Sequence, residues 1–208
     1  MIVKDGEEAR KLAADVIGRG GVLAFRTDTF YGLGADPFNR DALQRINELK
    51  GRDGKPILVV ISDVSEAERF IARRSKLFEA VRERHWPGAL TLVVKAGSDV
   101  PDLLTAGSGT VGLRLPDDDE VRAFIRSTGG ALTATSANLA GEPPARTAEE
   151  VARSFPKGLD LIVDGGNASV DKPSTVLDLS GQRPRLIREG AVARSRLEET
   201  LNELGAEF

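Results

Sequence analysis

The stretch GVLAFRTDTFYGLGADP, residues 21–37, changes character halfway along. Its apolar half reads as a buried strand. The strand then runs into Arg26, Thr27, Asp28 and Thr29, the chain's only tyrosine, Tyr31, and two glycines, Gly32 and Gly34. In open α/β sheets the ends of strands face ligand crevices, so hydroxyls, a carboxylate and glycines at such an end mark a candidate site. Upstream, residues 7–19 carry Ala9, Leu12, Ala13, Val16 and Ile17 at helical spacing, with Gly20 and Gly21 as a stop. An amphipathic helix therefore feeds this strand.

Working outward, residues 41–50 predict a second helix, with Asp41 as N-cap, Gln44 completing a capping box and Gly51 just past the end. A strand is expected at residues 57–61. Residues 65–84 give a longer helical pattern through Phe70, Ile71, Leu77, Phe78 and Val81, stopped by Trp86, Pro87 and Gly88. ALTLVV is the next strand. TVGLRLP then places Val111, Leu113 and Leu115 on one side and Arg114 on the other. A short helix over residues 120–126 returns into the strand ALTATS. Thr147 with Glu150 forms a capping box that opens a helix to about residue 155. The strand LDLIVDGG follows, then TVLDL and PRLIRE, separated by a turn at Ser180 and Gly181. Ser195 with Glu198 opens a terminal helix. About seven strands interleaved with helices make an α/β class. Neighbouring strands without a helix between them require a sheet that is partly parallel and partly antiparallel.

At 208 residues and 22.2 kDa the chain is expected to form a single domain, 1–208, around one core. The 40% hydrophobic and 29% charged content is ordinary for a soluble globular protein. No apolar run approaches the roughly 20 residues of a membrane helix. The start MIVKDGEEAR lacks the apolar segment of a signal peptide, so a cytoplasmic protein is expected. Zero cysteines exclude disulfides and thiolate chemistry, and a single histidine, His85, excludes a multi-histidine metal site. A net charge of −3 and a pI near 5.4 argue against a surface coated for nonspecific nucleic-acid binding. They leave room for a local basic pocket.

The loop KGRDGKP sets Lys50, Arg52 and Lys55 among glycines. Lys50 at a helix end complements the helix dipole, whereas Arg52 and Lys55 lie beyond the cap, where they could wrap a phosphate or carboxylate. No Walker pattern is present. Gly32 and Gly34 lack the third glycine of a dinucleotide fingerprint, and Pro37 interrupts the helix that motif needs. ATSANLAGEPP offers Thr135, Ser136 and Asn138 at a strand end, suited to phosphate oxygens or a nucleobase, although a plain turn explains it equally well. Ser174 and Thr175 repeat the theme, and Arg188 lies in the last strand. The Trp86 turn reads as packing and His85 as a surface group rather than a base.

In chain order TDTFYGLGADP, KGRDGKP, HWPGALTLVV, VGLRLPD, TSANLAGEPP, VDGG, PSTVLDL and LIREGAV resemble the successive signatures of the YrdC/TsaC family, the threonylcarbamoyl-AMP synthases. The likeness runs from about residue 20 to residue 191. It implies a single YrdC-like domain of the short form, with a twisted mixed parallel and antiparallel sheet, surrounding helices and a concave, positively charged cavity. It also implies an activity: L-threonine, bicarbonate or carbon dioxide, and ATP give threonylcarbamoyl-AMP and pyrophosphate, and the product passes to a tRNA threonylcarbamoyl transferase complex. Magnesium is expected with the ATP. Thr27, Thr29, Tyr31, Arg114 and Ser174 correspond to the threonine pocket. Lys50 and Arg52, with Lys55, Thr110, Ser136, Asn138 and Arg188, correspond to the ATP side, with Lys50 and Arg52 as the catalytic pair. Two positions depart from the family, Arg26 and Asp53, each where proline is usual. The first is expected to alter the rim of the threonine pocket and the second the loop shape. A double-stranded RNA-binding module is the alternative reading. The acidic pI and only five per cent aromatics weigh against it, leaving weak RNA binding at most.

Overall fold

The computed structural model describes residues 1–51, 55–168 and 172–208. A short strand β1 (Ile2–Lys4) and helix α1 (Glu7–Gly18) lead into a hairpin of β2 (Leu23–Arg26) and β3 (Tyr31–Gly34). Helix α2 (Arg40–Lys50), strand β4 (Val59–Ile61), a 3₁₀ helix (Val64–Arg69) and α3 (Lys76–His85) follow. The middle of the chain gives β5 (Leu90–Lys95), α4 (Asp102–Thr105), β6 (Thr110–Arg114), α5 (Asp119–Ser127), β7 (Ala131–Thr133) and β8 (Thr135–Ser136). The remainder is α6 (Ala148–Ser154), β9 (Leu161–Asp164), β10 (Thr175–Asp178), β11 (Arg185–Arg188) and α7 (Arg194–Glu203). None of the helices among the described residues is long and apolar enough to cross a membrane.

The α/β class with mixed strand directions is what the chain adopts, but the strands form two sheets. One runs β1-β9-β2-β3-β8 and the other β11-β10-β5-β6-β4-β7. In the first, β9 lies parallel to both β1 and β2, and β3 is antiparallel to β2 and β8. In the second, β5 is parallel to β10 and antiparallel to β6, and β4 is parallel to β6 and antiparallel to β7.

ALTATS, one strand by its pattern, serves both sheets. Its first half, β7, pairs with β4, and its second half, β8, pairs with β3. Between them the Ala134 amide donates to the Leu58 carbonyl at 2.8 Å, so the amide at the crossing stays paired. A two-residue period cannot report which sheet a residue joins, so a crossing strand looks unbroken in sequence.

Strands in both sheets are buried on two faces. Leu23, Phe25, Val60, Leu132, Leu161 and Val163 pack with α1 and α5 residues such as Ala13, Ile17 and Phe124. Alternate residues Val22, Ala24, Val59, Ile61 and Ile162 enter the larger core with Leu43, Phe70, Leu92 and Leu201. Burial on both faces explains why these strands read as continuous apolar runs. Of the two glycines of GLG, Gly34 answers to close packing. A Cβ on Gly34 would lie 2.9 Å from the Phe25 ring and 3.0 Å from Leu23, its partner across the hairpin.

Three helix boundaries differ from the expectation. The N-cap of α2 is Asn39, whose side chain accepts from the Ala42 amide at 3.0 Å, while Gln44 donates to Glu48 instead of closing a box. The pattern over residues 65–84 breaks in two. Ile71 forms a bridge with Ala96, and the Ala72 amide donates to the Lys95 carbonyl, so sheet pairing outcompetes the helix until Ser75 caps α3. Helix α7 has Ala193 as N-cap, with Glu198 paired to Arg194, so Ser195 caps nothing. The Thr147 cap of α6 is as expected, its hydroxyl accepting from the Glu150 amide at 3.2 Å.

Candidate functional site

A cavity of about 730 Å³ opens between the two sheets. The first sheet contributes Thr27, Thr29, Phe30, Tyr31, Gly32, Thr135 and Ser136. The second contributes Thr91 and Val93 from β5, Thr110, Gly112 and Arg114 from β6, and Val176, Asp178, Arg185, Ile187 and Arg188 from β10 and β11. Pro56, Leu58, Pro144, Pro173 and Ser174 complete the wall. The β7–β8 crossing makes this possible, since it joins the two sheets at one edge and brings the β2–β3 turn over β6.

That turn is self-braced. The Thr27 hydroxyl donates to the Phe30 carbonyl at 2.7 Å and accepts from the amides of Thr29 and Phe30. Arg114 enters from β6 and its two terminal nitrogens reach Thr29 Oγ1 at 3.2 Å and Thr27 Oγ1 at 3.3 Å. Arg114 is only 2% exposed. Its counter-ion is Asp28, with Nη2 3.0 Å from Oδ1. Burial pushes the Asp28 carboxyl above its ordinary value even though Arg114 pulls it down.

Farther along the same sheet Arg188 donates to the Ser174 carbonyl at 2.9 Å, and the Ser174 hydroxyl shares a 2.9 Å hydrogen bond with Thr91 Oγ1. Burial, and then the charge of Arg114, lowers the Arg188 pKa. Two arginines from separate strands thus repel each other across one cavity. With Arg185 on the rim, the wall carries three arginines against one carboxylate, Asp178, which is itself paired to Arg185 at 3.1 Å. Such a cavity is built for anions.

Of the residues expected to form a site, Thr27, Thr29, Tyr31, Thr110, Arg114, Ser136, Ser174 and Arg188 share this one cavity. Lys50, Lys55 and Asn138 do not line it. Lys50 is buried at 6% exposure, and its ammonium donates to the Asn138 carbonyl at 2.9 Å, to Asn138 Oδ1 at 3.2 Å and to the Ser136 carbonyl. It therefore anchors the loop that carries Ser136 to the cavity wall. Lys55 is exposed beside Pro56. Arg52 and Asp53 lie outside the described residues. The Tyr31 hydroxyl donates to the Gly166 carbonyl at 2.9 Å, so the phenol braces the loop after β9, and the residue is itself part of the cavity wall. Arg26 runs to Asp118 at 2.8 Å, tying the hairpin to the start of α5, and is not part of the wall.

Three polar wall residues went unnoticed in the sequence. Thr91 is a hydroxyl inside an otherwise apolar strand, which was the available signal. Asp178 and Arg185 gave none, since a charged pair on an edge hairpin is ordinary surface chemistry.

His85 lies away from the cavity, its Nε2 2.9 Å from the Thr200 hydroxyl, where burial and then Arg196 and Arg84 lower its pKa from 6.5. A depressed histidine pKa means that the unfolded chain binds the extra proton more readily. Stability should therefore fall as pH drops below about 6.5. His85→Phe should keep wild-type turnover to within about threefold, as for a group outside the chemistry, and should flatten this acid limb of the thermal midpoint. A large loss of turnover with unchanged melting would make His85 a base.

Residues 15–190 match the model of the Sua5/YciO/YrdC family, described as "Telomere recombination". The chain belongs to this family. A threonylcarbamoyl-AMP synthase of Bacillus subtilis is 37% identical over 194 residues, 92% of this chain and 56% of that protein. The synthase of Thiobacillus denitrificans is 41% identical over 163 residues, 78% of this chain and 86% of that one. Among solved structures, Pyrococcus abyssi Sua5 complexed with L-threonine superposes with a TM-score of 0.91 at 33% identity, covering 98% of this chain and 61% of that one. The chain thus spans a little over half the length of the Bacillus and Pyrococcus relatives.

Proposed function

We propose that this chain forms threonylcarbamoyl-AMP and pyrophosphate from L-threonine, bicarbonate or carbon dioxide, and ATP. The observation that carries the reading is the pair Arg114 and Arg188, two like charges facing one cavity that also presents the hydroxyls of Thr29, Thr91 and Ser174. The reaction gathers a carboxylate, a carbamate and a triphosphate, and charge-bearing walls that are already in place stabilise such a set without solvent reorganisation. In this reading the threonine amine captures the one-carbon unit, and the carbamate oxygen attacks the α-phosphate and expels pyrophosphate. Arg114 takes the amino acid's carboxylate beside Thr29, Tyr31 and Ser174. Arg188, Thr110 and Ser136 face the nucleotide, with Lys50 fixing the Ser136 and Asn138 loop and Arg52 and Lys55 approaching the phosphates.

No group of three or more histidine, cysteine or carboxylate side chains able to hold a metal occurs among the described residues. Magnesium in this scheme is carried by the ATP phosphates, where it offsets their charge. The product would go to a tRNA threonylcarbamoyl transferase complex. A cavity of about 730 Å³ has the size of a small-molecule site, which favours this reading over a duplex RNA groove.

The test is pyrophosphate release from ATP, bicarbonate and magnesium with and without L-threonine. Threonine-dependent release is expected, and release that ignores threonine would overturn the proposal.

A further inference from the structure

Asp28 sits at the tip of the β2–β3 turn between two residues that line the cavity, yet it is not itself part of the wall. Its side chain is 7% exposed and turns inward to Arg114, which is 3% exposed. Resting on the function proposed above, we propose that Asp28 is the positioning residue that holds the Arg114 guanidinium against Thr27 and Thr29, so that its outer face meets the substrate carboxylate.

Arg114 has five N–H donors. Thr29 and Thr27 take one contact each, Asp28 lies against Nη2, and the buried Nε has no partner. Without the carboxylate, two hydroxyl contacts longer than 3.1 Å would be all that fixes a long, flexible side chain in the wall. The remaining charges near Asp28 do not substitute for it. Asp28 is the carboxylate whose charge acts on Arg114, and Asp118 is already paired to Arg26.

Stability does not explain the pair. Burial holds the Asp28 carboxyl above its unfolded value despite Arg114, so its ionised form is disfavoured by folding. By linkage, this group's contribution to stability is lost as pH rises through the folded pKa. A carboxylate kept at a cost to the fold, in contact with Arg114, a fully buried arginine of the cavity wall, is explained by what it does to that arginine.

The experiment compares wild type, Asp28→Ala and Asp28→Asn. Threonine affinity is measured by calorimetry without nucleotide, and KM and kcat by pyrophosphate release. Asp28→Ala should raise the threonine Kd and KM by at least roughly tenfold, the loss expected when a charged contact is misplaced. Its KM for ATP should stay near wild type, and kcat should change less than KM for threonine. Asp28 Oδ1 meets Arg114 as an ion pair without a hydrogen bond, so Asp28→Asn, which keeps the shape and loses the charge, should weaken threonine binding in the same direction as Asp28→Ala. A residue with a merely structural role would lower the melting temperature of both variants and leave threonine affinity alone. Equal threonine Kd in wild type and in folded Asp28→Ala, or in folded Asp28→Asn should alanine fail to fold, overturns the assignment. A wild-type protein that binds threonine but releases no pyrophosphate would sink the proposed reaction instead, with the affinity comparison still deciding the role of Asp28.

Discussion

Arg114→Met is expected to lower kcat/KM for threonine by on the order of 10³, a loss typical of removing a buried charge partner from the site of reaction. Methionine approximates the length of the arginine stem, so the cavity wall is kept while the positive charge goes. The same change strands Asp28 inside the protein. Removing one partner of a buried ion pair costs about 3–5 kcal/mol, because the other charge is left without compensation. Part of that cost is avoided because burial already raises the Asp28 carboxyl above its ordinary value, and losing the opposing pull of Arg114 makes it easier to protonate. Stability and activity therefore fall together in the single variant and cannot be told apart there. Arg114→Met combined with Asp28→Asn removes both charges. Thermal melts of the double variant should recover most of the lost stability, and kcat/KM should stay near the level of the single variant. A double variant that regained activity along with stability would show that Arg114 matters only to the fold.

The α/β class, the helix before the opening strand and the strand cores were all readable, because each rests on a local period or a cap. The two-sheet division was not. Residues 131–136, ALTATS, read as one unbroken strand, and only the pairing partners of β7 and β8 show that the chain changes sheet at Ala134. Gly32 and Gly34 raised the idea of a nucleotide loop, whereas they sit in β3, where Gly34 makes room for the Phe25 ring.

The legibility of the site divides in the same way. Arg114 stood out because it interrupts the polar side of an otherwise alternating strand, and Ser174 and Arg188 because they end or begin strands. Which atoms they touch depends on contacts between residues about 85 positions apart, such as Arg114 with Thr29, and no local pattern encodes those. Lys50 shows the same limit from the other side. Its place beside a glycine loop marked it for phosphate, and the fold turns its ammonium onto the backbone of Ser136 and Asn138, a partner 86 residues away.

The largest expected effect concerns the amino acid itself. Serine differs from threonine by one methyl, and a missing methyl in a pocket costs about 1–3 kcal/mol, or roughly 10- to 200-fold in kcat/KM. Valine keeps the branched shape and loses the hydroxyl. The wall around Arg114 is polar and buried: Thr29 is 5% exposed, Thr91 3% and Ser174 2%. Thr91 and Ser174 share one hydrogen bond between them, and each hydroxyl can make more, so capacity is left for a substrate hydroxyl. A valine methyl set against these groups would take water from them and give nothing back, a mismatch that reaches on the order of 10⁴. Thr27 contributes little to this choice, since its hydroxyl is spent on the turn. The expected order of kcat/KM is threonine, then serine, then valine, with valine nearly inert, measured as steady-state pyrophosphate release with each amino acid. Valine outperforming serine would mean that the pocket selects shape, and that the buried hydroxyls of Thr29, Thr91 and Ser174 hold the sheets together rather than read the substrate.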